Sequence, residues 1–328
     1  MDESPVMVPG RPVHVYSIGM RERFRGITVR QGMVWQGEVG WAEWSPFLDY
    51  SPLESRSWLK AALEMADIGY PPPVRSRIPV NVTVPALTPE KARALVAKSG
   101  CSTAKVKVAE KGQSLTEDIA RVEAVRDALG SAGKIRVDAN GAWTVDEAVV
   151  ALTALGRFDL EYAEQPCATV EELAEVRQRL KGRVLIAADE SIRRADDPYK
   201  VRALDAADIA ILKVQPLGGV RACLDIAERI GLPVVVSSAL ETSIGLRAGI
   251  ALAAALPELP YACGLNTGPL LTSDLVSDPL AARDGYIDVR DVHPDPALLV
   301  GAGADAETTA AWQQRLADTM AQGRRSPQ

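Results

Sequence analysis

Asp138, Glu164, Asp189 and Lys213 follow one another at intervals of 26, 25 and 24 residues, and the pair Lys105 and Lys107 precedes them in the run TAKVKVA. An interval of that size is one strand, one helix and their two loops, so the series sets each residue at a similar height on successive strands. Three carboxylates converging at one height repel one another unless a cation holds them. An all-oxygen ligand set on a rigid scaffold favours Mg²⁺, with Mn²⁺ as a substitute. Side chains two apart on a strand share a face, so Lys105 and Lys107 point together, as do Arg136, Asp138 and Asn140. Each piece alone has a plainer reading. KxK on a strand is usually a solvated edge, Asp before a loop usually caps the next helix, and Ser237-Ser238 is ordinary polar filler. Their order along successive strands, with lysines on both sides of the acids, is what points to a site.

The elements that must hold these residues are legible from residue 78 onward. Short β-branched runs (IPVNVTVP, TAKVKVA, KIRVDAN, LEYAEQP, VLIAADES, DIAILKVQP, PVVVSSAL, YACGLN) alternate with amphipathic helical segments. Thr88-Pro89-Glu90 and the Thr144, Glu147 pair are helix starts, and Gly100, Gly130, Gly156 and Gly231 are helix stops. Eight strands and seven intervening helices predict a parallel sheet closed into a modified (β/α)7β TIM-type barrel, an α/β fold without the last helix. Catalysis in such barrels sits at the C-terminal strand ends, where the charged series falls. Residues 1–77 read as an α+β capping domain, a strand meander with glycine turns and then a helix. Residues 78–267 form the barrel, and 268–328 form a C-terminal segment packing back on the cap. Its single polar helix frays into a mobile QGRRSPQ.

Composition removes several classes of function. There are 37 basic and 43 acidic residues, a net charge of −6, which argues against a nucleic-acid partner. Cys101, Cys167, Cys223 and Cys263 form no CxxC pair, so they read as reduced, small apolar residues rather than a zinc or redox site. The start MDESPVMVPGRP lacks a signal peptide's apolar run, and the longest apolar stretch, Ala248 to Leu256, falls far short of a membrane span. A cytoplasmic protein is expected, with no membrane partner; the sequence does not give the oligomeric state.

KVK, VDAN, EQP, ADES and ILKVQPLGG, on five successive strands, resemble the enolase superfamily, and more narrowly its muconate lactonizing subgroup, over nearly the whole chain. The resemblance implies that Asp138, Glu164 and Asp189 bind Mg²⁺, that Lys107 is the general base and that Lys213 faces it across a small-molecule carboxylate substrate. It assigns Lys105 to tuning Lys107 or touching the substrate carboxylate, and Asn140 and Arg136 to ordering that corner. A proton beside a carboxylate is a very weak acid, because its removal adds a second negative charge to the same oxygens; a bound cation stabilises that charge. A lysine serves as base when burial and nearby cations lower its pKa. The only histidines, His14 and His293, lie outside the barrel strands, which excludes the branch with a catalytic histidine on the seventh strand.

Three reactions of the lysine–lysine branch compete: cycloisomerisation, epimerisation of acylated amino acids or dipeptides, and dehydration to o-succinylbenzoate. Dipeptide epimerases carry an acidic motif at the eighth strand, where this chain has Gly264-Leu265-Asn266, so a substrate without a free ammonium is expected. SSALETSIG, the Gly218-Gly219 turn and the compact cap resemble the o-succinylbenzoate-forming dehydratases of menaquinone biosynthesis. Amides near Ser237 and Ser238, with Gly264 beside them, and the helix start at Gly218-Gly219 are then expected to receive a succinyl carboxylate. The loop from Arg21 to Arg25 either closes over the tail or carries surface charge. The alternatives are an N-acylamino acid racemase using both lysines and a non-catalytic binding barrel, against which the intact lysines argue.

Overall fold

The computed structural model describes Val8, residues 11–194 and residues 198–322. The expected leaderless start and fraying QGRRSPQ end fall mostly outside those residues. In the first part of the chain, β1 (Val13–Phe24), β2 (Ile27–Gln36) and β3 (Trp41–Trp44) form an antiparallel meander in that order. Arg25 and Gly26 turn the first hairpin with φ of 52° and 78°, the backbone that matches strand twist in a two-residue turn. The helix α1 (Ser55–Asp67) buries Trp58, Ala61, Ala62 and Met65 on one side.

The barrel strands are β4 (Arg77–Val84), β5 (Thr103–Lys107), β6 (Lys134–Asp138), β7 (Leu160–Glu164), β8 (Ile186–Ala188), β9 (Ile209–Leu212), β10 (Val234–Val236) and β11 (Cys263–Asn266). All run parallel in chain order, and β11 returns to pair with β4. The remaining seam closes through a bridge between Ser237 and Gly264. A Cβ on Gly264 would lie 2.6 Å from the Ser237 hydroxyl oxygen, so the seam needs glycine there. The inter-strand register sets Lys107 opposite Asp138, and Asp138 opposite Glu164. One slip would turn every one of these side chains to the other face.

The first four crossovers are single helices: α2 (Pro89–Ser99), α3 (Leu115–Leu129), α4 (Val145–Leu155) and α5 (Val170–Leu180). Thr144 and Glu147 make the expected capping box on α4. Gly156, expected as a stop, stays helical at φ −57° and leads into a further tight turn. Among the described residues, the fifth crossover holds two short turns, α6 (Glu190–Arg193) and α7 (Lys200–Ala203). The sixth has α8 (Val214–Leu217) and α9 (Val220–Ile230), and the seventh α10 (Ser243–Ala255).

After β11 the chain adds β12 (Tyr286–Asp288), antiparallel to the start of β4, then α11 (Pro296–Gly301) and α12 (Ala306–Gln322). The last helix is more amphipathic than its composition suggests, burying Trp312, Leu316 and Thr319. Trp312 stands edge-on to Trp44 with ring centroids 5.5 Å apart, and Arg315 donates to the carbonyls of Pro46, Phe47 and Tyr50. All four cysteines are buried free thiols, and among the described residues no helix is long and apolar enough to cross a membrane. Replacing Trp312 by alanine removes a buried indole and its aromatic pair. We expect a loss of about 3–5 kcal/mol in urea unfolding; a change below about 1 kcal/mol would show that α12 is not part of the folded unit.

Candidate active site

The barrel mouth collects the charged series. Asp138, Glu164 and Asp189 are at most 1% exposed, and Lys105 and Lys107 are 6% and 8% exposed. Lys105 Nζ lies 2.8 Å from Glu164 and 3.1 Å from Asp138. Lys107 Nζ lies 2.5 Å from Asp138 and 2.5 Å from the Asn140 side-chain oxygen. Across the mouth, Lys213 Nζ lies 2.5 Å from Asp189, whose other oxygen accepts from Arg193 Nε at 3.0 Å. Each carboxylate thus has a cation within hydrogen-bond reach.

The three acids are not equivalent. Burial alone raises all of them. At Asp138, Lys107 and Lys105 outweigh burial and hold the carboxyl well below its usual range. At Asp189, Arg193 and Lys213 do the same, to about 2. At Glu164 burial wins, and the charges of Asp138 and Asp189 outlast the help of Lys105, so the carboxyl rises to about 7. Burial lowers Lys105 too, yet Glu164 and Asp138 reverse that and hold it well above its ordinary value. Lys213 is pushed down by burial, with Asp189 opposing and Arg193 adding to the fall. Lys105 is therefore a fixed cation, and Lys213 an amine closer to giving up its proton.

Side chains outside the charged set fix this arrangement. The Gln165 amide oxygen accepts from the backbone N–H groups of Asp189 and Ser191 at 3.0 and 3.1 Å, while its nitrogen donates to Cys167 and Ser191. The glutamine of EQP thereby clamps the turn that carries Asp189. Asn140 turns at φ 47°, donates its N–H to Asp138 and its amide to Glu190. Arg193 also binds Tyr50 of the N-terminal part and Glu190.

A small, partly open cavity of about 40 Å³ is lined by Lys105, Lys107, Asp138, Asn140, Lys213, Ser237, Ser238 and Gly264 from the barrel. Phe24, Arg25 and Phe47 line it from the N-terminal part, with Thr83, Arg193, Ala239, Leu240 and Thr267 completing it. That volume holds a few waters, so a larger ligand requires these walls to move apart. The Phe24 ring centroid lies 5.1 Å from Lys107 Nζ. Of the two readings left open for the Arg21–Arg25 loop, Arg25 faces the cavity, while Arg21 is exposed and bonds the Thr272 carbonyl.

Several expected substrate contacts are placed elsewhere. Arg136 is fully buried one step below the acids, bonded to Glu161 at 2.5 Å and the Ala262 carbonyl at 2.6 Å, with Tyr162 stacked at 4.7 Å. Its length carries it down the barrel axis, where it braces strands rather than lining the cavity. Gly218 packs on α1 beside Lys60, and Gly219, with φ 124°, faces Glu64 of α1. The Glu64 carboxylate accepts from the N–H groups of Val220 and Arg221, so the anion-binding helix start exists but is filled by the protein itself. The amides of the Ser237 turn are also taken: Ser237 bonds Leu212, Ser238 bonds Gly264 and Ala239 bonds Glu241. What this wall offers is hydroxyl, the Ser238 and Thr267 pair at 2.6 Å among them. Gln165, Arg193 and the aromatic wall of Phe24 and Phe47 had not been singled out from sequence.

Among the described residues no three His, Cys, Asp or Glu side chains group closely enough to hold a metal ion; a lysine stands at each carboxylate. The donor chemistry nonetheless fits a hard divalent cation. All three donors are carboxylate oxygens, and Glu164 rises to about 7 first through burial and then through the charges of Asp138 and Asp189, which a cation would offset.

Residues 88–305 match the family described as enolase C-terminal domain-like, and residues 15–66 that described as enolase N-terminal domain-like. An o-succinylbenzoate synthase of Thermobifida fusca is 61% identical over 302 residues, 92% of this chain and 94% of that protein. One from Mycolicibacterium smegmatis is 52% identical over 306 residues, 93% and 94% of the two chains. Among solved structures, muconate lactonizing enzyme from Pseudomonas fluorescens, complexed with muconolactone, has a TM-score of 0.77 at 21% identity, covering 90% of this chain and 98% of that one. A dipeptide epimerase from Enterococcus faecalis has a TM-score of 0.69 at 24% identity, covering 85% and 96%. At these identities the likeness to solved structures is one of fold.

Beside the cavity wall, burial and then the charge of Glu43 raise Glu241 from 4.5 to about 7. As pH climbs through that window the unfolded chain releases this proton while the folded chain keeps it, so stability falls with rising pH. Glu241→Gln has no such proton. Between pH 5 and pH 8 the native protein should lose roughly 2–3 kcal/mol more than the variant in urea unfolding. Parallel slopes for the two proteins would contradict the burial argument.

Proposed function

The chain belongs to the enolase superfamily and, within it, to the o-succinylbenzoate synthases, and on that premise we propose that it is a lyase dehydrating 2-succinyl-6-hydroxy-2,4-cyclohexadiene-1-carboxylate to o-succinylbenzoate in menaquinone biosynthesis. The observation that carries the reading is the pairing of Lys107 and Lys213 in one cavity, on either side of three buried carboxylates. Membership implies a divalent metal. We take it to be Mg²⁺, with Mn²⁺ as a substitute, held by Asp138, Glu164 and Asp189. When bound, it supplies the positive charge that stabilises a second negative charge on the substrate carboxylate.

The chain's own groups do the rest. Lys107, covered by the Phe24 ring, takes the proton beside the substrate carboxylate. The same ammonium then returns that proton to the departing hydroxyl, which leaves as water while the ring becomes aromatic. The Lys213 ammonium, paired with Asp189 at 2.5 Å, stabilises the charge from the opposite side. Lys105, held charged by Glu164 and Asp138, faces the carboxylate. The Ser237 and Ser238 hydroxyls, with Gly264 beside them, border the succinyl tail. The strand-β11 end offers Gly264 and Thr267 and no acid, which leaves a substrate ammonium without a partner and disfavours dipeptides. We place the enzyme in the cytoplasm, acting on a small molecule, without a membrane or nucleic-acid partner.

Purified protein with Mg²⁺ should convert the cyclohexadiene precursor to o-succinylbenzoate. It should exchange deuterium into N-succinylamino acids slowly by comparison. Fast exchange into both enantiomers with equal efficiency would move the assignment to an N-acylamino acid racemase. In excess chelator turnover should vanish and return with Mg²⁺ or Mn²⁺; full turnover in chelator would overturn the metal assignment. Lys107→Ala should cost at least about 100-fold in kcat with an unchanged circular dichroism spectrum, the general-base share of the rate. A variant retaining a tenth of the rate or more would remove Lys107 as the base.

A further inference from the structure

Arg30 lies on β2, outside the charged series, and is 2% exposed. Its guanidinium spends its N–H groups on oxygens of a barrel turn that walls the cavity and of the N-terminal part. On the barrel side Nε donates to the Leu240 carbonyl at 3.0 Å and Nη2 to the Ala239 carbonyl at 3.2 Å. On the side of the N-terminal sheet Nη2 bonds the Ser45 carbonyl and its hydroxyl at 3.0 Å, and Nη1 bonds the Gln31 carbonyl at 2.9 Å. The guanidinium carbon also lies 4.6 Å from the ring centroid of Phe47, a cavity wall residue.

The barrel segment it grips needs such a hold. Leu240 is a buried non-glycine residue at φ 64°, a conformation that persists only where its surroundings over-determine it. The Leu240 N–H bonds the Ser238 hydroxyl at 3.4 Å, and that hydroxyl meets Thr267 at 2.6 Å. The position of Leu240 therefore aims the hydroxyls facing the cavity. A lysine in place of Arg30 would carry the charge but not the planar fork that reaches both carbonyls and Ser45 together.

We propose that Arg30 is a positioning residue for substrate specificity: it locks the Ser238–Leu240 turn to Phe47 and Ser45, and so sets the wall against which the succinyl tail lies. This rests on the reading that the tail borders Ser237 and Ser238. Arg30 touches no reacting atom, so its loss acts on tail recognition and leaves proton transfer at Lys107 in place.

Arg30→Met and Arg30→Lys are compared with the native enzyme in two assays. In turnover of the cyclohexadiene precursor, Arg30→Met should raise KM about tenfold or more while kcat changes by less than about threefold. Arg30→Lys should fall between Arg30→Met and the native enzyme, and it carries the test if the methionine variant does not fold. In amide hydrogen exchange, residues 238–242 should exchange faster in both variants while the β5 and β6 amides stay unchanged. Unchanged KM together with native exchange at 238–242 overturns the proposal. So does a kcat loss with faster exchange throughout the barrel, which marks Arg30 as merely structural. If the native enzyme itself does not turn over the precursor, the functional reading fails. The exchange data then decide whether Arg30 holds the turn.

Discussion

Three buried carboxylates at one end of a barrel can exist only with buried positive charge beside them. An ion removed from water without a partner costs several kcal/mol, and Asp138, Glu164 and Asp189 are each essentially inaccessible. Lys105, Lys107, Lys213 and Arg193 meet that demand, and much of the surrounding structure follows from it. The register that sets Lys107 against Asp138 and Asp138 against Glu164 admits no slip, because a slip would bury every charge against apolar neighbours. The unequal pull on the acids follows as well. Asp138 and Asp189 each have two nearby cations, whereas Glu164 shares one with Asp138 and faces both other acids, so the three cannot ionise alike.

The same bookkeeping of charge and dipole joins the N-terminal sheet to the barrel. Glu43 on β3 accepts from the Thr242 N–H and hydroxyl and the Gly245 N–H at the start of α10. Glu64 on α1 does so at the start of α9. A helix start presents unsatisfied N–H groups and a partial positive charge, so each carboxylate docks where it is most stabilised. Arg30 makes the converse contact, a cation on backbone carbonyls. Carboxylates on N–H groups and a guanidinium on C=O groups fix the two parts in one relative placement, which sets how far Phe24, Arg25 and Phe47 reach over Lys107.

How much of this the sequence revealed depended on whether a residue's partner lay within the repeat. The acids and lysines were legible because strand period and βα spacing place them without reference to anything else. Gly218 and Gly219 were misassigned for the opposite reason: the motif announces an anion-binding helix start, but its occupant, Glu64, comes from a helix some 150 residues earlier in the chain. Arg136 carried the right face and the wrong depth, since alternation gives direction but not how far a long side chain travels along the barrel axis. Arg30 left a weak signal, sharing a strand face with Gly32 and the buried Val34, yet it lies among arginines at 21, 23 and 25 that look like ordinary surface charge.

Left-handed backbone also occurs at these places, as at several surface turns. Ala109, Asn140, Gln165 and Leu240 all take left-handed backbone without being glycine, and each follows within two residues of a cavity or carboxylate residue: Lys107, Asp138, Glu164 and Ser238. Such positions cost on the order of 1–3 kcal/mol apiece, and glycine would relieve them. At three of these turns the side chain supplies something glycine lacks. Asn140 bonds Lys107 and Glu190, Gln165 ties down the Asp189 turn, and Leu240 buries its side chain beneath the cavity wall. The chain ends its strands sharply so that functional groups project together into the barrel mouth, and it uses the turning residue itself to hold the neighbour it has just exposed. Rigidity at the mouth thus comes from local strain tied off by side-chain bonds, and the buried charges are what make those bonds strong.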